Sequence, residues 1–354
     1  MSDALAPGST VGILGGGQLG RMLALAAARL GLKTHVFDPD PRAPAGEVAT
    51  LATTAAYDDH AALVAFGNSV DVITFEFENI PTTALDLLDS LAPIRPTREA
   101  LRISQDRVIE KKFLQSIGLM TAPFAEVDNA EDLTAATTSI GLPAILKTRR
   151  FGYDGKGQAR ISSENDVPQA LAAMRGAPAV LEGFVRFDRE ISVIAARGTD
   201  GAVACYDPGE NVHKNGILHS TTIPAALSPS QAQDAVLLAG RILNALDYIG
   251  VLGVELFVTP ESLIVNEIAP RVHNSGHWTE AACTIDQFEQ HIRAVAGWPL
   301  GDGSRHSDAM MLNLIGKDIA AVETTSDARV HHYGKAEARP GRKMGHITRI
   351  SPKT

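Results

Sequence analysis

Cysteine is nearly missing: Cys205 and Cys283 are the only two in 354 residues. That excludes a disulfide framework and a Cys-rich zinc centre, and it suits a reducing compartment. Positive charge is short as well, with 32 Lys and Arg against 41 Asp and Glu for a net −9. Nucleic acid and anionic membranes need a basic surface, so neither is expected as a partner. The most apolar helical stretch, Met22–Leu32, is too short for a bilayer and carries Arg29. The first residues, Met1-Ser-Asp-Ala-Leu-Ala-Pro7, lack the basic segment of a secretory signal. Repeats, low-complexity tracts and lipidation motifs are missing too. The expectation is a soluble cytoplasmic protein of two or three domains that meets any anionic ligand with local cation clusters.

What is present is glycine, gathered in two loops. Thr10–Leu14 reads as a buried strand, Gly15-Gly-Gly-Gln-Leu-Gly20 as a turn into a helix reaching Leu30, and Thr34–Asp38 as the next strand. Gly15, Gly17 and Gly20, with Asp38 ending the second strand, have dinucleotide-fingerprint spacing. A dinucleotide, a single ribose phosphate and a structural tight turn all use this geometry. Gln18 and Arg21 are further phosphate donors by position. The second loop follows the apolar run that ends on Lys147. It holds Gly152, Gly155 and Gly157 beside Arg149, Arg150 and Lys156. Such a loop either cradles polyphosphate or is a mobile hairpin tip. It does not fit the P-loop pattern.

Asp71–Glu78 reads as a strand whose alternation places Phe75 and Phe77 on one side and Glu76 and Glu78 on the other. Those carboxylates lie where a doubly wound sheet binds ligands, or else the strand runs into solvent. Ser104–Ile117 predicts a helix with Ser104 as N-cap and Arg107 and Lys111 as solvated face charges. Two further strands run into Glu182 and start at Glu190, and His213 falls in a polar loop. Val251–Val258 and Leu263–Ile268 predict a hairpin with Glu255 and Glu267 inside it. A three-residue loop, Pro260–Ser262, places the two acids opposite one another, whereas a four-residue loop throws them to opposite faces. Facing carboxylates repel unless they share a cation, and with Asn266 alongside they suit Mg²⁺ carrying phosphate oxygens. Arg271, His273 and Asn274 follow within a few residues. Arg is suited to forked anion contacts, and His to anion donation or proton transfer.

The chain resembles the ATP-grasp enzymes, and among them the 5-(carboxyamino)imidazole ribonucleotide synthase family of bacterial and fungal purine biosynthesis. The resemblance rests on Gly-Gly-Gly-Gln-Leu-Gly-Arg21, Phe-Glu-Phe-Glu-Asn79, Gln-Asp-Arg107, Phe-Gly-Tyr-Asp-Gly-Lys-Gly-Gln158, Asn-Glu-Ile-Ala-Pro-Arg-Val-His-Asn-Ser-Gly-His277 and Arg-Pro-Gly-Arg-Lys-Met-Gly-His346. It implies an α/β and α+β chain: an N-terminal Rossmann-like domain over 1–103, an ATP-grasp region over 104–298 with a lid at about 118–188, and a C-terminal segment over 299–354. It implies that Arg107 and Lys147 contact ATP phosphates beneath a lid of Gly152, Tyr153, Asp154, Gly155, Lys156, Gly157 and Gln158. Glu182, Gly183, Phe184 and Val185 would hold adenine, Glu190 the ribose, and His213 the nucleotide. Glu255 and Glu267 would carry Mg²⁺ beside Asn266.

By the same resemblance, Gly17, Gln18 and Leu19 would cradle the phosphate of aminoimidazole ribonucleotide. Glu76, Tyr153, Asp154, Arg271, His273 and Asn274 would face that substrate. Arg271, His273 and Lys147 are the expected catalytic residues. Lys335, Arg342 and Lys343 in the basic tail suit a ribose phosphate. The implied reaction joins bicarbonate to the exocyclic amine of aminoimidazole ribonucleotide at the expense of ATP, through carboxyphosphate, in a homodimer. A formate-using ATP-grasp transformylase is the nearest rival, and an NAD-dependent dehydrogenase the rival from another class.

Overall fold

The computed structural model describes residues 4–152, 155–321 and 328–354. Three sheets account for its strands. The first is parallel and comprises β1 (Thr10–Leu14), β2 (Lys33–Asp38), β3 (Leu51–Thr54) and β4 (Val72–Phe75) in the order β3-β2-β1-β4. Continuous apolar runs such as Val-Gly-Ile-Leu in β1 suit a strand covered on both faces. β4 stops at Phe75, three residues short of the strand read from sequence, and Phe77 is exposed. Glu76 and Glu78 therefore belong to the loop beyond the strand, where they are free to turn different ways.

The second sheet is a small antiparallel unit of β5 (Phe124–Val127), β6 (Ala144–Thr148), β7 (Gln158–Ile161) and β8 (Ala179–Gly183), ordered β5-β8-β6-β7. It has a core of its own, built from Val127, Leu133, Ala144, Leu146, Ile161 and Leu181. The glycine loop joins β6 to β7. Gly157 there has φ +68°, and a Cβ on it would fall 2.5 Å from Thr148 Oγ1, so only glycine fits.

The third sheet is antiparallel and has nine strands. They are β9 (Arg189–Arg197), β10 (Val203–Cys205), β11 (Gly209–Lys214), β12 (Ile217–Ile223), β13 (Gly250–Val258), β14 (Leu263–Ala269), β15 (Ser307–Ile315), β16 (Ala328–His332) and β17 (Lys343–Pro352). Their order is β14-β13-β9-β11-β12-β15-β17-β16, with β10 on β9. The C-terminal strands thus complete the sheet that carries the acidic hairpin. His213 lies in β11 and not in a loop. The helix Pro229–Ala245 packs Ala235, Ala239, Ile242 and Leu243 onto the sheet, its first turn fixed by a Ser228/Gln231 capping box. The helix predicted from Ser104 instead begins at Arg107. Asp106 is its N-cap, accepting from the N–H groups of Val108 and Ile109, and Ser104 closes the preceding helix.

The parallel sheet and the large sheet share one core. Leu19, Met22 and Leu23 of the first helix meet Val272, Trp278, Phe288 and Ile292 in it. Among the described residues no helix is long and apolar enough to cross a membrane.

Candidate active site

Glu255 of β13 and Glu267 of β14 are register partners. The hairpin loop is nevertheless four residues long, because Val258 pairs with Leu263. A shift between Glu255 and Leu256 brings the acids back into line: Leu256 pairs with Val265, so Asn266 is the extra residue of a β-bulge. Two residues, Asn266 and Glu267, then oppose the single Glu255. Directly opposite positions lie about 5 Å apart, where like charges repel by roughly 3 kcal/mol at an effective dielectric near 20. Burial and the charge of Glu267 accordingly push Glu255 up to about 7. Burial would also raise Glu267, but Arg107 Nη1 lies 2.9 Å from its Oε2 and brings it down to about 2. Glu255, Asn266, Glu190 and Asn211 line one hollow, and His213 bonds to Glu190 through Nδ1. Two carboxylates and an amide oxygen are a hard donor set that fits a divalent cation such as Mg²⁺.

Lysines gather around Glu182. Lys147 Nζ is 2.9 Å from its Oε2 and Lys111 Nζ is 3.3 Å from its Oε1. Lys111 is 1% exposed, so the sequence reading of Arg107 and Lys111 as solvated charges is wrong for both. Burial lowers Lys147, while the three cations Lys147, Lys111 and Arg107 hold Glu182 below the usual range against its own burial. Two lysines on one carboxylate leave a net positive charge inside the protein, and an anionic ligand compensates it. Glu110, pushed up to about 8 by burial and then by Glu267, accepts the Ile268 N–H at 2.6 Å. It locks the helix that carries Arg107 onto the strand that carries Glu267. The N–H groups of Gly183 and Phe184 are taken by the carbonyls of Pro123 and Pro143. Of the segment expected to hold adenine, those two donors are already engaged.

The N-terminal glycine loop meets carboxylates of the chain itself. Glu76 accepts from Gly17 N at 2.9 Å and Gly20 N at 3.3 Å, and Asp38 accepts from Gly16 N at 2.6 Å. Gly15 has φ +97°, and a Cβ on it would fall 2.8 Å from Glu76 Cγ. The positive helix end, where a dinucleotide pyrophosphate would sit, is therefore capped internally, and Asp38 does not await a ribose. Glu76 is fixed here as the loop's cap. Leu19 is buried in the core, so only its backbone can serve a ligand. Arg21 pairs with Glu47 and the Pro44 carbonyl. Gln18 accepts from Lys335 Nζ, which also donates to the Lys343 carbonyl at 2.8 Å, so the tail reaches the glycine loop. Arg342 donates to the Glu337 carbonyl.

Arg271 places Nη2 2.6 Å and Nε 2.7 Å from Glu78 Oε2. His273 sits between the two regions, with Nε2 3.6 Å from Glu255 Oε1 and Nδ1 accepting the Ser275 N–H at 3.4 Å. Burial and the neighbouring Arg271 push it down to about 3, so it is a neutral imidazole with its proton on Nε2. Asn274 differs from expectation: it exchanges amide hydrogen bonds with Asn313 at 2.9 and 2.7 Å and faces the core. Tyr153 and Asp154 lie outside the described residues. The sequence reading missed Glu110, Gln287 and Asn313 and favoured Glu76 over Glu78. Gln287 clamps both the N–H and the carbonyl of His273, yet no motif marks it.

Three family models match: the ATP-grasp domain over residues 112–288, the ribonucleotide synthetase preATP-grasp domain over 9–105, and the phosphoribosylaminoimidazole carboxylase C-terminal domain over 309–354. The N5-carboxyaminoimidazole ribonucleotide synthase of Brucella melitensis is 56% identical over 357 residues, covering 99% of both chains. The chain belongs to the N5-carboxyaminoimidazole ribonucleotide synthase family. The Bacillus subtilis member is 43% identical over 347 residues, 97% of this chain and 91% of that one. A crystal structure of the synthetase from Thermus thermophilus superposes with TM-score 0.91 at 46% identity, covering 96% and 93% of the two chains. The Aspergillus clavatus synthase, crystallised with ADP and 5-aminoimidazole ribonucleotide, gives TM-score 0.92 at 33% identity, covering 98% and 95%. Membership makes the chain an ATP-grasp ligase of the mixed α/β architecture expected from its sequence, with the acidic hairpin, Lys147 and Glu182 inside the matched ATP-grasp span. The dehydrogenase reading falls with it.

Proposed function

We propose that this synthase carboxylates the exocyclic amine of 5-aminoimidazole ribonucleotide with bicarbonate and ATP, releasing ADP and phosphate. The observation that carries the reading is the facing of Glu255 and Glu267 beside Arg107 and Lys147. A bicarbonate oxygen attacks the γ-phosphorus as the bond to the ADP oxygen breaks, giving carboxyphosphate. The amine then takes the carboxyl carbon and loses a proton as phosphate leaves. Lys147, Lys111 and Arg107 place cationic charge where phosphoryl transfer develops negative charge. Glu255 and Glu267, with Asn266 beside them, would hold Mg²⁺, which when bound neutralises the ATP phosphates. Glu190 and His213 are assigned to the nucleotide, and Gly152 to Gln158 to a lid that excludes water from carboxyphosphate. Arg271, steadied by Glu78, orients the carboxyl group, and neutral His273 donates through Nε2. Gln18, Lys335 and Lys343 receive the ribose phosphate.

The division at about 103 and 298, a cytoplasmic homodimer and the absence of nucleic-acid or membrane partners belong to the same proposal. ADP release that depends on both aminoimidazole ribonucleotide and bicarbonate is expected. Release supported by formate in place of bicarbonate would move the chain to the transformylase class. Glu267→Gln should abolish ADP formation with the fold intact by circular dichroism, and near-normal turnover would remove the metal assignment.

A further inference from the structure

Behind the Asn274–Asn313 amide pair lies a second set of metal-ligating side chains, apart from the acidic hairpin. His331 of β16 and His346 of β17 are register partners on adjacent antiparallel strands, their rings stacked 5.2 Å apart. The carboxylate of Glu280, from the short helix Thr279–Ala282, points at both. Its Oε2 lies 3.3 Å from His331 Nδ1 and 3.5 Å from His346 Nε2. That oxygen is buried and makes no hydrogen bond among the described residues. The two separations are too long for charge-assisted hydrogen bonds, which close to about 2.7–2.9 Å. They match the ligand–ligand edge of a tetrahedron, about 3.3–3.4 Å, around an ion bound at about 2.0–2.1 Å. All three ligand atoms lie within 4.8 Å of one another. The other nitrogen of His346 is held by Tyr333 Oη at 2.9 Å. This outer contact fixes the orientation of the ring that turns Nε2 toward Glu280.

We propose that Glu280, His331 and His346 form a binding site for one divalent transition ion of the zinc type, with water in the fourth position. Two imidazoles and one carboxylate, converging within 4.8 Å of one another, suit Zn²⁺ over the harder Mg²⁺. The ion ties β16 and β17 to the helix that follows the Asn-Ser-Gly-His277 turn. It thereby fixes the segment that carries Lys335 and Lys343. The site is separate from the Glu255–Glu267 face and does not depend on the activity proposed above.

The test uses the full, untagged chain, stripped with EDTA, exposed to Zn²⁺ and passed through gel filtration. About one zinc per chain is expected, with a rise in Tm of several degrees over the stripped protein. Co²⁺ in its place should give visible absorption bands of tetrahedral intensity. Glu280→Gln and His331→Gln should each lose the bound metal and the Tm response while keeping the wild-type far-UV circular dichroism. Glu267→Gln should retain both responses, which separates the two sites. The proposal is overturned if wild type holds no zinc after gel filtration, if the cobalt spectrum is octahedral, or if both Glu280→Gln and His331→Gln still bind stoichiometric zinc.

Discussion

Glu76 and Glu78 are two residues apart and do different work. Glu76 is shut against the glycine loop, whereas Glu78 takes two guanidinium nitrogens of Arg271 on one oxygen. In Glu78→Gln the guanidinium loses its charged partner and its fixed aim. A fall in kcat/KM on the order of 100-fold is expected from misplacement of this kind, carried by kcat and the KM for aminoimidazole ribonucleotide, with the KM for ATP unmoved. A change confined to the KM for ATP would contradict the placement of Arg271. Neither role could be read from the sequence, because Glu78 is 193 residues from Arg271 and Glu76 is 59 from Gly17. Lys111 shows the same limit: a cation one turn from Arg107 on a helix looks solvated until Glu182 is brought against it. By contrast Lys147, Glu255, Glu267 and Arg271 were legible, since polar groups inside or directly after apolar strands are costly without a task.

At the scale of elements, the acidic hairpin shows how a correct expectation can hide a wrong cause. Sequence periodicity required a three-residue loop, and the structure has four residues and a bulge at Asn266. No glycine marks that bulge, so nothing local announced it. Deleting Asn266 leaves Glu267 opposite Glu255 in a regular ladder. ADP formation should then survive at a reduced rate where Glu267→Gln abolishes it, as a coupled assay for ADP will report. If the deletion is as dead as Glu267→Gln, the amide is as necessary as the carboxylate. The lid sheet makes a separate prediction because its core is its own. Leu146→Ala opens a cavity among Leu133, Ile161 and Leu181 and should cost about 2–5 kcal/mol of lid stability. Hydrogen exchange should speed up across β5–β8 and stay unchanged in β1–β4.

The whole molecule is joined where His291, fully buried, bridges two sheets. Its Nε2 meets Thr74 Oγ1 of β4 at 2.8 Å, and its Nδ1 accepts the Val251 N–H of β13 at 3.0 Å. Burial pushes it down to about 3 from 6.5. The unfolded chain therefore binds more protons between those values, so this contribution is complete above pH 6.5 and is lost as pH falls toward 3. The loss amounts to no more than about 5 kcal/mol. His291→Gln should flatten the fall of Tm between pH 6.5 and 4, with His273 and His277, also held neutral by burial, keeping part of the slope. An unchanged pH profile would remove His291 from this role. The fold class could be read from the βαβ unit and the hairpins, but the union of nine strands into one sheet could not, because pairings such as β12 with β15 join distant parts of the chain. That union also orders events during synthesis. β12 keeps an open row of backbone groups at Ser220–Ile223 until β15 arrives to pair with it. A chain stalled on the ribosome before Ser307 exposes a bare sheet border, so the final fifty or so residues decide whether the newborn protein stays apart from its neighbours.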